Sequence, residues 1–210
     1  MSYRTTKILL TGNITDQTRD VLVFLCHEAN NLWNTAVYQI RQAHFSSCGI
    51  REFFDKDDCF RRQFKDKKVK VSYSQLCKDF KENPHYQWLG GQQGQQLLKS
   101  VEEAFKSYNE LLEMWFDGEL DHKPKLPGYR TKGGLCSFTF PSDGLRFNHE
   151  EGSWFLPMSR VITQYWEKGK EEEFSIPSVS YIGDTNISEI RILPQHGKLW
   201  AELVGAIRFW

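Results

Sequence analysis

The sequence predicts an α+β fold: a small antiparallel β-barrel whose first strand is followed by an inserted domain of three to four helices. Three observations predict it. Tyr3 to Thr11 alternates loosely in hydropathy and ends at Gly12-Asn13, the signature of a strand and turn. Two long segments then carry apolar residues at intervals of three and four, and from Lys123 onward the texture changes to short β-branched and aromatic runs cut by Pro, Gly and Asp. The expected domains are residues 1–13 as the first barrel strand, 14–122 as the helical insert and 123–210 as the remaining strands.

The elements follow in order. Thr15 is suited to cap a helix with Asp16 in its first turn, and Val21, Leu22, Leu25, Ala29, Leu32, Ala36 and Ile40 then draw one apolar stripe over about thirty residues. Cys48-Gly49 ends or interrupts it. Ile50 to Lys70, aromatic and basic, reads as a short helix and a loop. Ser72 with Gln75 three residues on has the capping-box pattern, which predicts a short helix from Ser72 to Glu82 that stops before Asn83-Pro84. A glutamine-rich start (Gln92, Gln93, Gln95, Gln96) opens a long helix whose Leu97, Val101, Ala104, Phe105, Tyr108, Leu111, Leu112 and Trp115 form one buried face, with a stop at Asp117-Gly118. The strands expected beyond are Leu135 to Phe140, Leu145 to Asn148, Ser153 to Pro157, Glu173 to Ile176, Ser188 to Leu193 and Lys198 to Val204. Left alone, the N-terminal strand has an open edge, so it is expected to pair with a strand after Leu126.

With 210 residues, 40% apolar and 14% aromatic, the chain has the composition of an ordinary globular protein. Its 27 basic and 27 acidic residues cancel, but unevenly. Through Lys132 there are 20 basic against 17 acidic residues, a net of +3; the remainder holds 7 against 10, a net of −3. Arg61, Arg62, Lys65, Lys67, Lys68 and Lys70 face one acid, Asp66, in a run that suits phosphate or simply a solvated loop. Five cysteines, without a Cys-x-x-Cys pair or an N-terminal secretory signal, read as free thiols of a reducing cytoplasm. No run approaches the ~18 to 20 apolar residues of a membrane span, so a soluble chain without a membrane partner is expected.

Catalytic and metal signatures are sparse. The six histidines are scattered, none at ligand spacing from Cys or another His, and there is no Gly-x-Ser-x-Gly, phosphate-binding glycine loop or His-Glu-x-x-His. No metal site, cofactor or small-molecule substrate is expected.

Nucleic-acid chemistry is better represented. On the first helix Trp33-Asn34, Tyr38-Gln39 and, one turn after Tyr38, Arg41 offer a polar strip beside the apolar stripe; Trp33 and Tyr38 could equally pack on the long third helix. Gln92, Gln96 and Lys99 lie on neighbouring turns of a helix start, where free amides favour phosphate and Gln can pair bidentately with an adenine edge, or they are solvated surface. Lys123, Lys125, Tyr129, Arg130 and Lys132 fall within ten residues of a proline-stiffened linker, offering phosphate contacts and a stacking ring, or a hinge between domains. Arg160, Lys168 and Lys170 are opposed by Glu171-Glu172-Glu173, an acidic run read as a solvated turn.

Ser72-Tyr-Ser-Gln-Leu, Gln95-Gln-Leu-Leu-Lys-Ser-Val-Glu-Glu-Ala-Phe-Lys-Ser-Tyr and Pro124-Lys-Leu-Pro-Gly-Tyr-Arg-Thr-Lys, in this order, resemble the N-terminal half of the TnpB (OrfB) proteins encoded by bacterial insertion sequences. Leu32-Trp-Asn with Tyr38-Gln-Ile-Arg-Gln fits that family's first helix, and Ser175-Ile-Pro with Lys198-Leu-Trp-Ala-Glu-Leu fits its last strands before the nuclease. The resemblance covers nearly the whole chain. It implies a β-barrel wedge domain with an inserted recognition domain, and as partners a guide RNA and duplex DNA. It also implies a RuvC-like nuclease beyond the last strands, with its first aspartate in a Gly-Ile-Asp-x-Gly type motif and a zinc ribbon further on. The sequence ends at Gly205-Ala-Ile-Arg-Phe-Trp210, before any such carboxylate, so a catalytically incomplete binding portion is expected. A freestanding DNA-binding regulator and a protein-interaction module are the alternative readings.

Overall fold

The structure is a computed structural model that describes residues 3–166, 174–178 and 187–206. Helices and antiparallel sheets are built around one continuous apolar cluster. β1 (Tyr3–Leu9) leads through a turn at Gly12 into α1 (Asp16–Ser47). Thr15 is extended, and its side chain accepts the Thr18 N–H at 3.1 Å, satisfying one of the first-turn donors a helix leaves free. All seven residues of the expected stripe are buried, and His44 sits in the last turn before Cys48 ends the helix.

Residues 50–64 are not a helix and loop. They form a hairpin of β2 (Ile50–Phe54) and β3 (Phe60–Phe64), closed by a turn in which the Asp55 carboxylate accepts the Asp57 and Cys59 N–H groups at 3.0 and 2.9 Å. Nine of its ten strand residues are exposed. Without a buried face it has no alternation of apolar and polar residues to read.

α2 (Tyr73–Asp79) is shorter than expected, and its capping box does not form. Ser72 makes no side-chain cap; the Glu102 carboxylate accepts the Tyr73 N–H at 2.7 Å, while Gln75 bonds Asp79 at 2.6 Å. Asn83-Pro84 starts a helix instead of only ending one. In α3 (Pro84–Leu89) the proline stands in the first turn, where no amide is needed, and the Asn83 side chain accepts the His85 and Tyr86 N–H groups. Gly90, at φ 89°, turns the chain into α4 (Gly91–Phe116). A Cβ at Gly94 would lie 2.6 Å from the Tyr86 ring, so the α3–α4 elbow closes only around glycine. Leu97, Leu98, Val101, Phe105, Tyr108 and Leu112 are buried on α4, whereas Leu111 is exposed.

β4 (Phe138–Pro141), β5 (Arg146–Asn148), β6 (Ser153–Phe155), α5 (Arg160–Tyr165), β7 (Ser175–Pro177), β8 (Ile187–Gln195) and β9 (Lys198–Ala206) follow. The short α5, capped by Ser159, was not expected. Among the described residues, β1, β9, β8 and β4 form an antiparallel sheet in that order, and β5, β6 and β7 form another. The N-terminal strand pairs as expected with a strand beyond Leu126: Leu9 is opposite Trp200, and Thr11 Oγ1 accepts the Leu199 N–H at 2.9 Å.

No closed barrel is present among the described residues. β1 and β4 are the two edges of the larger sheet and do not meet. Pro141, which has no N–H to donate, ends β4, and the chain leaves for the second sheet through the Ser142 to Leu145 turn. α4 packs on β4, which joins the helices to the sheet core. Lys168, Lys170, Glu171 to Glu173 and the last four residues lie outside the described residues.

Candidate nucleic-acid interface

The linker after α4 lies antiparallel along α1, gripped by side chains one and two turns apart. With Nδ1 protonated, His27 donates to the Gly134 carbonyl at 3.2 Å; the Asn30 amide donates to Thr131 O at 3.0 Å, and Trp33 Nε1 to Gly128 O at 3.3 Å. Asn34 bonds both backbone groups of Arg130, accepting its N–H at 2.7 Å and donating to its carbonyl at 3.2 Å. Arg41 donates to Pro127 O at 3.2 Å. The Cys136 N–H then reaches Cys26 O at 3.0 Å, where both thiols are buried and pushed up by burial, Arg130 opposing the rise at Cys136. Such bonds satisfy the carbonyls of a segment that has no strand partner.

This clamp decides what the predicted residues face. The Arg130 guanidinium lies 4.0 Å from the centre of the Trp33 ring and contacts the Cys136 thiol. Trp33 therefore packs on the linker. Arg41 lies 5.2 Å from the centre of the Tyr129 ring and 5.8 Å from that of Phe45. Tyr38 and Tyr129 are 55% and 52% exposed, too much for core residues. Together Asn34, Thr35, Tyr38, Tyr129, Arg130 and Lys132 line an open cleft of about 380 Å³. Lys125 and Lys132 are exposed and make no ion pair among the described residues.

The other nominated residues lie apart. Lys123 pairs with Asp66 and sits 5.7 Å from the centre of the Trp115 ring, near the end of α4. At the start of α4, Gln92 donates to the Asp143 carboxylate, while the buried Gln93 donates to Pro157 O at 3.0 Å. Gln96 and Lys99 are exposed on the same helix. Asn34, Tyr38, Arg41 and Phe45 share one α1 face by their spacing; of these, Phe45 was missed, its only signal being that spacing. Half of the six-residue basic run is neutralised locally: Arg61 pairs with Asp55, Arg62 with Glu52 and Lys68 with Glu113.

Among the described residues no group of three or more His, Cys, Asp and Glu side chains is placed to hold a metal ion, and no helix is long and apolar enough to cross a membrane. Compared with known proteins, the sequence matches no protein-family model and no curated protein.

Proposed function

We propose that the chain is the nucleic-acid-binding wedge and recognition portion of a TnpB-like, transposon-associated protein, and that the face built by α1 and the linker contacts the nucleic acid. The observation that carries this reading is the open cleft in which Tyr38, Tyr129, Arg130 and Lys132 meet. Exposed rings offer stacking surfaces and unpaired ammonium groups offer phosphate contacts, the two chemistries that sequence-tolerant nucleic-acid grooves combine. The pairing of β1 with β9 around the helices supports the same reading, because the resemblance implies a helical insert within a β domain. In such proteins a guide RNA supplies most target specificity by base pairing, and protein holds the hybrid by shape and backbone.

The test is a titration of labelled structured RNA and duplex DNA over a salt series. Binding should weaken linearly in log–log form, and Lys125→Gln with Lys132→Gln should flatten the slope by roughly 0.7 to 0.9 per lost contact. Structured RNA should outcompete duplex DNA. Preference for duplex would favour a freestanding DNA-binding regulator, and a response flat in salt would favour a protein-interaction module.

A further inference from the structure

The β2–β3 hairpin is not a separate appendage of this face; it continues it. The rings and guanidinium of the cleft run on without a break: Tyr129 to Arg41 at 5.2 Å, Arg41 to Phe45 at 5.8 Å, and Phe45 to the Phe64 ring of the hairpin at 5.1 Å. Tyr38 and Phe45 are seven residues apart on α1, about 10 Å along its axis. From Tyr38 to Phe64 the ridge therefore extends roughly 15 Å.

Phe64 is 46% exposed, although a two-stranded hairpin gains little stability alone and exposed large rings weaken solubility. The hairpin is held where it is. The Lys65 N–H bonds Gly49 O at 2.8 Å, and Lys67 Nζ reaches the Ser47 carbonyl at the end of α1 at 3.3 Å. Lys65, next to Phe64 in the chain, and Lys132 in the cleft are exposed and make no carboxylate contact among the described residues. Phenylalanine has no group to read a base edge, and a paired base in a duplex has its faces covered by its neighbours. What an exposed ring beside an ammonium group accommodates is an unpaired base with its phosphate.

We propose that the ridge from Tyr38 and Tyr129 to Phe64 holds a run of unpaired nucleotides, of DNA or RNA, stacked on these rings with phosphates at Lys132 and Lys65. This rests on the nucleic-acid reading above and adds to it the strand state and the length of the site. The full chain is titrated by fluorescence anisotropy with labelled oligo-dT and oligo-rU of 4 and 12 nucleotides, at low salt and with folding checked by circular dichroism. Phe64→Leu should weaken binding of the 12-mers roughly 5- to 150-fold, the range of one lost stacked base, and that of the 4-mers less, because a 4-mer can also seat at the Tyr38 and Tyr129 end. Tyr129→Ala should weaken both lengths. Phe64→Trp, which keeps a ring, should bind the 12-mers at least as well as the wild type, an outcome that loss of folding cannot produce. The dT and rU arms tell which sugar is preferred.

Wild-type affinity for both lengths in Phe64→Leu, with loss in Tyr129→Ala, would remove the hairpin and leave the cleft. Binding to structured RNA or duplex but to none of the oligonucleotides would overturn the unpaired-strand proposal alone. Failure to bind any nucleic acid would overturn the underlying reading.

Discussion

The start of α4 and the outer face of α1 carry the same kinds of side chain, amides and cations beside aromatic rings, but the fold commits them differently. At α4 two of the four amides are tied to the protein, Gln93 buried against the Pro157 carbonyl and Gln92 bound to Asp143, while Gln95 and Gln96 stay exposed. On α1 the amides are also used internally, Asn30 and Asn34 fastening the linker, and it is this fastening that holds Tyr129 and Lys132 out beside Tyr38. A polar residue can thus serve an interface best by what it positions, and amides that look like base readers can belong to the protein's own hydrogen-bond economy.

The largest effect should come from breaking the α1 clamp. Asn34→Ala removes both bonds to Arg130 and should cost about 2 to 3 kcal/mol, read by urea unfolding. If the mutant is as stable as the wild type, the clamp does not organise the linker. Gln93→Ala leaves the Pro157 carbonyl without its donor and should cost about 1 to 2 kcal/mol in the same measurement. A neutral result there would return the glutamine-rich turn to the list of free surfaces.

A smaller effect is expected from pH. Burial pushes the Glu102 carboxyl up, but the Lys106 ammonium and the Tyr73 N–H outweigh it and hold Glu102 below its ordinary value. Because the folded form binds this proton more weakly than the unfolded chain, the contribution is present above a pH of about 4.3 and fades as pH falls through the lower folded value. Glu102→Gln should flatten stability against pH in that acid window, and an unchanged profile would show the α2–α4 link to be unimportant. Smallest of all, Gln96→Ala should alter stability by less than about 0.5 kcal/mol, since the side chain is exposed.

The parts of the fold that bury an apolar face were legible in the sequence. The α1 stripe, the Thr15 cap and the pairing of the N-terminal strand follow from periodicity and from the cost of an open sheet edge. The β2–β3 hairpin was not, because nearly all its residues face solvent and its turn, Asp55 to Cys59, has no Asn-Gly or Asp-Gly signal. Ser72 and Gln75 match a capping pattern that does not form; a first-turn donor, the Tyr73 N–H, goes instead to Glu102, 29 positions away and outside any local window. For the candidate site, Tyr38, Tyr129 and Lys132 were nominated one by one; their meeting depends on the antiparallel course of the linker, which only the bonds to its carbonyls define.

The central claim is that nucleic acid lies along α1 and the linker rather than at the start of α4. Ultraviolet crosslinking of the full chain to bound RNA or DNA, followed by peptide mass spectrometry, tests this most directly. Adducts should fall on peptides containing Tyr38 and Tyr129. Crosslinks confined to the Gln92 to Lys99 turn, or to the exposed Tyr165 on α5, would contradict it.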